Sequence, residues 1–180
     1  MEYKQYQHNP PHLFFPNTKY FITSSIYSNI HLLKSNDCKS KLIEIIFKGY
    51  LSRNWAIEDW VILNNHYHLM AHSGENPKQL VNITKEIHKF SALWIKKNVH
   101  AAKKLDKIWH NYWDTCITYE KSYFARLNYI WFNPVKHRYV NKPEDWEFGS
   151  YKDRFEKEKE YLMRVNKNYP CDKVKINDDF

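Results

Sequence analysis

The 180-residue sequence predicts an α+β domain in which helices pack on one face of an antiparallel sheet. Segments rich in aromatic and β-branched residues alternate with segments whose apolar residues recur every three or four positions, as in strands and amphipathic helices. Two strand-like segments are separated only by Asn64-Asn65, and so short a connection requires antiparallel neighbours. Because the length suits one domain, we predict a domain over residues 1–154 and a polar, loosely docked tail over 155–180.

The strands are predicted from aromatic and β-branched runs. The first is YFITSSI at residues 20–26, the second covers residues 55–63, and the third covers residues 66–72. The two asparagines between the second and third strands are predicted to form a tight turn, because Asn tolerates positive φ. Residues 108–117 are predicted to form a further strand or an irregular edge.

Three helices are predicted from apolar residues at helical spacing. The first begins near residues 35–37, where capping residues precede regularly spaced apolar side chains. The second has Asn76 as its N-cap and Pro77 at its first position. The third covers about residues 118–132 and ends at Asn133-Pro134, because the residue before a proline avoids the helical region.

The composition favours a polyanionic partner. Lys and Arg outnumber Asp and Glu by 28 to 20, the net charge is +8 and the pI is near 9.2. Aromatic residues make up 17% of the chain and offer faces on which unpaired bases stack. Nucleic acid is therefore the first predicted partner. A membrane surface is a weaker alternative, because no basic amphipathic helix stands out.

Other classes of protein are excluded by what the sequence lacks. No run approaches the roughly 20 apolar residues that span a bilayer, and the first residues do not resemble a signal peptide, so a cytoplasmic protein without membrane contact is predicted. The three cysteines are far apart, which indicates neither a disulfide framework nor a thiolate zinc site. The three glycines cannot form the phosphate-binding loops of dinucleotide- or NTP-binding proteins.

The motif His66-Tyr67-His68 lies in the third predicted strand. Because side chains alternate along a strand, both imidazoles point to one face while Tyr67 and Leu69 point to the other. Two neutral imidazoles at this spacing can share one metal ion. His72 shares that face but is predicted to be exposed. In a chain with ten histidines the pair alone is weak support for a metal site, so the interpretation depends on further residues.

The third predicted helix carries a second polar group. Its apolar side chains cluster on one side, whereas Arg126, Tyr129 and Asn133 fall on the other. We therefore predict that Tyr129 is displayed to solvent, with the Asn133 amide oxygen one turn away as a metal ligand and Arg126 available for a phosphate. A phenol is a poor nucleophile at neutral pH, but it can attack a phosphodiester where a metal ion and cations neutralise the developing charge.

Three motifs follow one another along the chain: LNNHYHLM at residues 63–70, WHNYWDTCI at 109–117 and LNYIWFNPVKHRYV at 127–140. With these motifs the chain resembles the REP-associated tyrosine transposases, relatives of the single-tyrosine HUH transposases. The resemblance runs from about Tyr20 to Tyr151. The combination of the three motifs is specific to that family, although each alone is not.

The resemblance implies a ferredoxin-like or RRM-like fold and a DNA strand-transfer enzyme. His66 and His68 correspond to the metal-binding pair, Tyr129 to the nucleophile and Asn133 to an amide-bearing third ligand. The family uses Mg²⁺ or Mn²⁺, whereas the softness of imidazole alone would suggest zinc. It acts on single-stranded DNA next to hairpins through a 5′-phosphotyrosine. Related transposases include homodimers, whereas the REP-associated branch is often described as monomeric, so a monomer or a homodimer is expected.

Four basic residues are predicted to contact the DNA in this interpretation. They are Arg126, Lys85, Lys89 and Lys136. Lys85 and Lys89 lie on the polar side of the second predicted helix, where a solvated surface is the alternative. The chain also departs from the family at two positions. Asn64 stands where many relatives have Pro, and Arg138, which could alter a local turn, stands where many have Gly.

Two other functions remain open from the sequence. The first is a DNA-hairpin-binding regulator whose chemistry is vestigial, which ranks second because all four predicted site residues are present. The second is a zinc-dependent hydrolase, which would need another strong ligand and a water-activating carboxylate. Glu58 and Asp59 are the nearest carboxylates, but they have no recognised spacing from the histidines, and this hypothesis leaves the charge and aromatic content unexplained.

Overall fold

The structure, a computed structural model, describes residues 12–171 and residue 174. Four strands form one antiparallel sheet in the order β2-β3-β1-β4. The strands are β1 (Lys19–Ser25), β2 (Ala56–Ile62), β3 (His66–His72) and β4 (Trp113–Ile117). All four occur where the sequence predicts strands, although the fourth occupies only the second half of its predicted segment.

Four helices connect and cover the sheet. They are α1 (Asn36–Leu51), α2 (Gln79–Asn98), α3 (Glu120–Lys136) and α4 (Tyr151–Asn168), with short 3-10 turns at Tyr27–Asn29, His100–Ala102 and Pro143–Asp145. The order β1-α1-β2-β3-α2-β4 with this strand arrangement is the ferredoxin-like topology, so the predicted fold is confirmed. Within the described residues, no helix is both long enough and apolar enough to cross a bilayer.

Helices α1 and α2 pack on one face of the sheet, as predicted. Ile22 on β1 and Tyr67 and Leu69 on β3 point to this face and are at most 1% exposed. The Ser35 hydroxyl accepts a hydrogen bond from the Cys38 backbone N–H at 3.2 Å, which caps the first turn of α1. This face therefore forms the main apolar core.

Two turns differ from the prediction. Asn76 and Pro77 precede α2 instead of capping it, and the helix begins at Gln79 without a side-chain cap. The turn between β2 and β3 is closed by the Leu63 N–H, which donates to the His66 carbonyl at 2.8 Å. Neither asparagine of that turn has positive φ. The tight turn thus forms as predicted, but without the left-handed conformation that favours Asn.

Helices α3 and α4 cover the opposite face of the sheet, so the prediction that helices occupy one face is wrong for these two. Phe21, Val61 and Met70 point away from α1 and α2 and join a second apolar cluster with Leu127 and Ile130 of α3. The physical reason is that this face also carries apolar side chains, which need cover from water.

Helix α4 changes the predicted organisation of the C-terminal part. It runs through the boundary predicted at residue 154, and its Leu162 and Val165 are at most 2% exposed. Residues 155–168 are therefore packed against the domain, and the prediction of a loosely docked tail is wrong for them. The remainder of that tail lies outside the described residues apart from 169–171 and 174.

Candidate functional site

Strand β3 presents two histidines on the α3 side of the sheet. His66 and His68 are both 0% exposed, and their ring centroids lie 5.0 Å apart. They pair with Ser25 and Thr23 of β1, in the interior of the sheet. The alternation of β3 therefore puts both imidazoles on one face, as the sequence predicts. His72 is half-buried rather than exposed.

Neighbouring side chains fix the orientation of His66. Asn65 Nδ2 donates to the Asn29 carbonyl at 3.3 Å, which turns Asn65 Oδ1 toward His66 Nδ1 at 2.7 Å. An amide oxygen only accepts, so Nδ1 is the protonated nitrogen and donates. The other ring nitrogen, His66 Nε2, faces Asn133, whose Oδ1 lies 3.1 Å away.

His66 Nε2 and Asn133 Oδ1 therefore face each other at hydrogen-bonding distance inside the protein. Asn133 is 0% exposed, and its Nδ2 has no hydrogen-bond partner among the described residues. Three arrangements satisfy this pair: a proton on Nε2 that is donated to Oδ1, rotation of the amide so that Nδ2 donates to His66, or a cation shared by Nε2 and Oδ1. Adjacent ligands of one octahedral Mg²⁺ lie about 3 Å apart, so the observed separation fits such an ion.

His68 is held by a threonine and two aromatic rings. Its Nδ1 lies 2.8 Å from Thr23 Oγ1, and its ring stacks on Phe21 with centroids 5.4 Å apart. The Tyr129 ring meets it edge-on at 5.3 Å. A hydrogen bond at one ring nitrogen orients an imidazole as in metal-binding histidines, and here the tyrosine lies directly beside that imidazole.

Helix α3 carries Tyr129 and Asn133 one turn apart on its sheet-facing side. Tyr129 is 3% exposed, so the prediction that it is displayed to solvent is wrong. The helix is a middle layer: its apolar side packs against α4, where Trp131 contacts Tyr151 with ring centroids 5.8 Å apart. The polar side consequently faces the histidines instead of water.

Helix α3 also continues past its predicted end. Pro134 lies inside the helix, which runs to Lys136, and the His137 N–H donates to the Asn133 carbonyl at 3.0 Å. A proline three residues from the end removes only the hydrogen bond to the Ile130 carbonyl, which the last turn tolerates. The extra turn keeps three polar residues, at positions 133, 136 and 137, close to the site.

Lys136 is an exposed cation beside the Tyr129 phenol. Its Nζ donates to the phenol oxygen at 3.2 Å and lies 4.9 Å from the centroid of the ring. An ammonium group in this position stabilises negative charge on the oxygen and attracts a phosphate. Of the four basic residues predicted to contact DNA, Lys136 lies against the tyrosine.

The other three predicted DNA contacts are arranged differently. Arg126 donates to Ser122 one turn back along α3 and lies 5.9 Å from the Phe21 ring centroid. Burial lowers the pKa of its guanidinium. Lys85 and Lys89 are exposed on α2, which covers the opposite face of the sheet from the histidines. The structure therefore does not bring these two lysines to the site.

His137 is a neighbour of the site that sequence reasoning missed. Its ring centroid lies 5.0 Å from that of His66, and the side chain is half-buried. His137 follows Asn133 by four residues, so helical spacing continued through Pro134 is the signal that finds it.

Neither carboxylate of the hydrolase hypothesis joins the histidines. Glu58 pairs with a lysine of β1 at 2.9 Å. Asp59 is 0% exposed, accepts from Trp131 Nε1 at 2.7 Å and Ser150 Oγ at 2.8 Å, and pairs with Arg154. Across residues 12–171 and 174, no three His, Cys, Asp or Glu side chains form a group that could hold a metal ion. A zinc-hydrolase site of the usual His and carboxylate ligands is therefore not formed by the described residues.

Comparisons with known proteins identify relatives of one kind. Over 109 residues the chain is 32% identical to the REP-associated tyrosine transposase of Escherichia coli, which covers 59% of this chain and 60% of that protein. Over 97 residues it is 31% identical to a Haemophilus influenzae protein that provisionally carries the same name, covering 50% and 55%. The chain thus matches under two thirds of the length of these relatives. No family model matches it.

A solved structure of a REP-associated tyrosine transposase bound to a REP hairpin has the same fold. The two chains are 24% identical and superpose with a TM-score of 0.70, covering 97% of this chain and 95% of the other. The resemblance predicted from the three sequence motifs is therefore confirmed, and this chain is a homologue of the REP-associated tyrosine transposases.

Proposed function

We propose that this chain is a transposase that cleaves and rejoins single-stranded DNA next to hairpins, with Tyr129 as its nucleophile. The observation that carries the proposal is the convergence of His66, His68, Tyr129 and Asn133 at one buried site between β3 and α3. These residues come from two distant parts of the sequence. The names of the relatives, one of which was solved with a hairpin bound, support DNA as the substrate.

In the proposed first step, the phenol oxygen of Tyr129 attacks the phosphorus of a phosphodiester. The oxygen–phosphorus bond forms, the bond from phosphorus to the 3′ oxygen breaks, and the phenol proton passes through solvent to the released 3′ oxygen, which becomes a 3′-OH. The product is a 5′-phosphotyrosine, which conserves the energy of the diester bond. Attack by a 3′-OH on this phosphotyrosine reverses the exchange, so a strand is rejoined without a nucleoside triphosphate.

Lys136 has two roles in this proposal. Its hydrogen bond to the phenol oxygen stabilises the negative charge that develops as the proton leaves. Because Lys136 is exposed while Tyr129 is 3% exposed, a phosphate that approaches from solvent meets this ammonium before it meets the phenol. The ammonium group therefore attracts the DNA backbone, and it must move aside before the phosphate can reach the phenol oxygen.

His66, His68 and the Asn133 oxygen would hold Mg²⁺ or Mn²⁺ in this proposal. When bound, the ion neutralises charge on the phosphate that is attacked. Asn65 and Thr23 contact the Nδ1 atoms of the two imidazoles and so keep both rings oriented.

DNA contacts are proposed on both faces of the sheet. Arg126 and Lys136 on α3 lie on the same face as the phenol, whereas Lys85 and Lys89 on α2 would meet a more distant part of the same DNA molecule. Either a monomer or a homodimer is compatible with this division.

The test is incubation with labelled single-stranded DNA that contains a hairpin from the gene's own flanks. Reactions with Mg²⁺, Mn²⁺ or EDTA are resolved on a denaturing gel. We expect a metal-dependent protein–DNA adduct that Tyr129→Phe abolishes while hairpin binding is retained. Tyr119→Phe is the matched control, because Tyr119 is 63% exposed just before α3 and should leave adduct formation unchanged. Adduct formation by Tyr129→Phe would overturn the assignment.

A DNA-hairpin-binding regulator is the second function, and the burial of Tyr129 is the observation that favours it. A nucleophile that is 3% exposed must become accessible before it can react, whereas a regulator needs no such change. Tight hairpin binding without an adduct under any metal condition would support this alternative.

A further inference from the structure

A short turn places a tyrosine at the end of the sheet that carries His66. Tyr27 follows Ile26, whose N–H donates to the Asn65 carbonyl at 2.7 Å. The Tyr27 N–H donates to the Ile108 carbonyl at 2.8 Å, which ties the turn to the segment before β4. The backbone at Tyr27 is therefore fixed by hydrogen bonds to two segments, one of which is the turn that leads into His66.

Tyr27 is exposed, although large aromatic side chains are usually well covered. It is 43% exposed, its ring centroid lies 4.9 Å from that of His110, and Lys107 Nζ lies 5.2 Å from the centroid. His110 and Lys107 are exposed as well. We call these three residues the Tyr27 platform. A tyrosine face beside a cation and a second ring is an arrangement on which unpaired bases stack.

A groove adjoins the Tyr27 platform on the α2 side. Its volume is about 600 Å³, which is within the usual range for a small-ligand site. Its lining includes Lys85, Lys107 and His110. Trp109 also lines it, is 4% exposed and stacks on His88 with centroids 4.8 Å apart, which makes that part of the wall rigid. The groove thus joins a rigid aromatic wall to two lysines.

The charge around this groove favours a polyanion. Residues 85–107 contain seven lysines and two acidic residues. A chain of phosphates gains affinity from such a surface through the release of its counterions. The helix and loop that carry these lysines lead from the α2 face to the sheet end where Tyr27 lies.

We propose that the Tyr27 platform stacks one unpaired base of a DNA strand whose phosphates follow the groove past Lys107 and Lys85. This inference rests on the proposed function, because single-stranded DNA is the ligand. From the sheet end, the same strand can continue toward His66. Tyr27 touches no reacting atom in this scheme, so it contributes to affinity and to the placement of the strand, not to the chemical step.

The experiment is equilibrium binding of a fluorescent single-stranded hairpin DNA in EDTA, where no strand transfer is expected. Tyr27→Ala should weaken binding roughly tenfold, and Tyr27→Phe should restore most of it, because stacking needs the ring and not the hydroxyl. Phe90→Ala is the matched control. Phe90 is also an exposed aromatic residue on the lysine-rich helix, 51% exposed with Lys89 Nζ 5.8 Å from its ring centroid, and its removal should leave binding unchanged.

A scan of abasic sites along the unpaired part of the DNA locates the stacked base. In the natural protein, one abasic position should weaken binding about as much as Tyr27→Ala does. In Tyr27→Ala that same abasic position should have no further effect, since the contact is already lost.

The outcomes separate this inference from the proposed function. Tyr27-dependent binding without any covalent adduct would support the platform and refute the strand-transfer activity. If an adduct forms and Tyr27→Ala binds DNA as tightly as the natural protein, the strand-transfer activity is supported and the Tyr27 platform is refuted. Equal losses at the abasic position in both proteins, or a similar loss in Phe90→Ala, would also overturn the inference. At saturating DNA, adduct formation by Tyr27→Ala should match that of the natural protein.

Discussion

The two faces of the sheet are built from the same strands but bury different chemistry. On β3, Tyr67 and Leu69 pack into the apolar core under α1 and α2, whereas His66 and His68 face α3. Buried polar groups cost free energy unless they are hydrogen-bonded, and on the α3 side Thr23 and Asn65 supply such bonds to the Nδ1 atoms of the two histidines. The first face stabilises the fold, and the second holds polar groups in fixed positions.

Replacing two adjacent residues of β3, one on each face of the sheet, should give the largest difference between an effect on stability and an effect on the proposed reaction. Leu69→Ala removes a 0% exposed side chain and leaves a cavity, which should lower the free energy of unfolding by about 2–5 kcal/mol. His68→Ala removes a proposed metal ligand and should abolish the metal-dependent adduct. Denaturant unfolding and the adduct gel are measured for both variants. Natural levels of adduct from His68→Ala would show that the polar face is structural only.

The α3 side should also depend on its buried carboxylate. Asp59→Ala removes the acceptor of the Trp131 N–H and the buried partner of the 24% exposed Arg154, which keeps only its surface pair with Glu158. The free energy of unfolding should therefore fall by about 3 kcal/mol. Glu58→Ala is the matched control, because its ion pair with Lys19 is partly exposed and should contribute less than about 1 kcal/mol. Similar losses in the two variants, measured by denaturant unfolding, would show that burial does not set the difference.

His88 is a titratable group on the α1 and α2 face, and it should make the stability of that face depend on pH. Burial, with a smaller contribution from Lys107, lowers the pKa of His88 to about 3. The unfolded chain binds that proton near pH 6.5, so stability should fall as the pH drops from about 6.5 toward 3. His88→Gln should reduce the slope of unfolding free energy against pH in this window. His31→Gln, at an exposed position, is the control, and equal slopes in all three proteins would contradict the prediction.

The smallest expected effect lies at the end of α3. Arg138 has a φ of 58°, in the left-handed region that favours glycine. Arg138→Gly should therefore raise the free energy of unfolding by about 0.5–1 kcal/mol, seen as a higher Tm. Arg164→Gly, in the interior of α4, should lower it by about 1 kcal/mol. A lower Tm for Arg138→Gly would mean that the arginine side chain makes a compensating contact.

The local pattern of β3 is enough to predict which residues share a face, because strand alternation is a geometric property of the backbone. It is not enough to predict what covers that face. The helical spacing of Arg126, Tyr129 and Asn133 correctly separates polar from apolar sides of α3, but it assumes that the polar side meets water. Here a second apolar layer from α4 takes the outer position, and the polar side turns inward.

Composition and periodicity give opposite predictions for α4. The charged residues of this segment favour a tail. Its apolar positions 151, 155, 162 and 165 nevertheless recur at helical spacing, which predicts one narrow buried side. The structure packs these four positions against the domain, although α4 is kinked between them at Glu158, where φ is −135° and ψ is 31°. A few apolar contacts on one side of a helix are compatible with charge on all other sides.

A chain shortened after residue 154 would keep every residue of the proposed active site and yet lose the outer cover of α3. Leu127 and Trp131, at most 2% exposed in the intact domain, belong to the cluster that Leu162 and Val165 complete. Their outward sides would meet water as an apolar patch of the kind that drives aggregation. A segment that takes no part in the proposed reaction thus shields from water the helix that carries Tyr129.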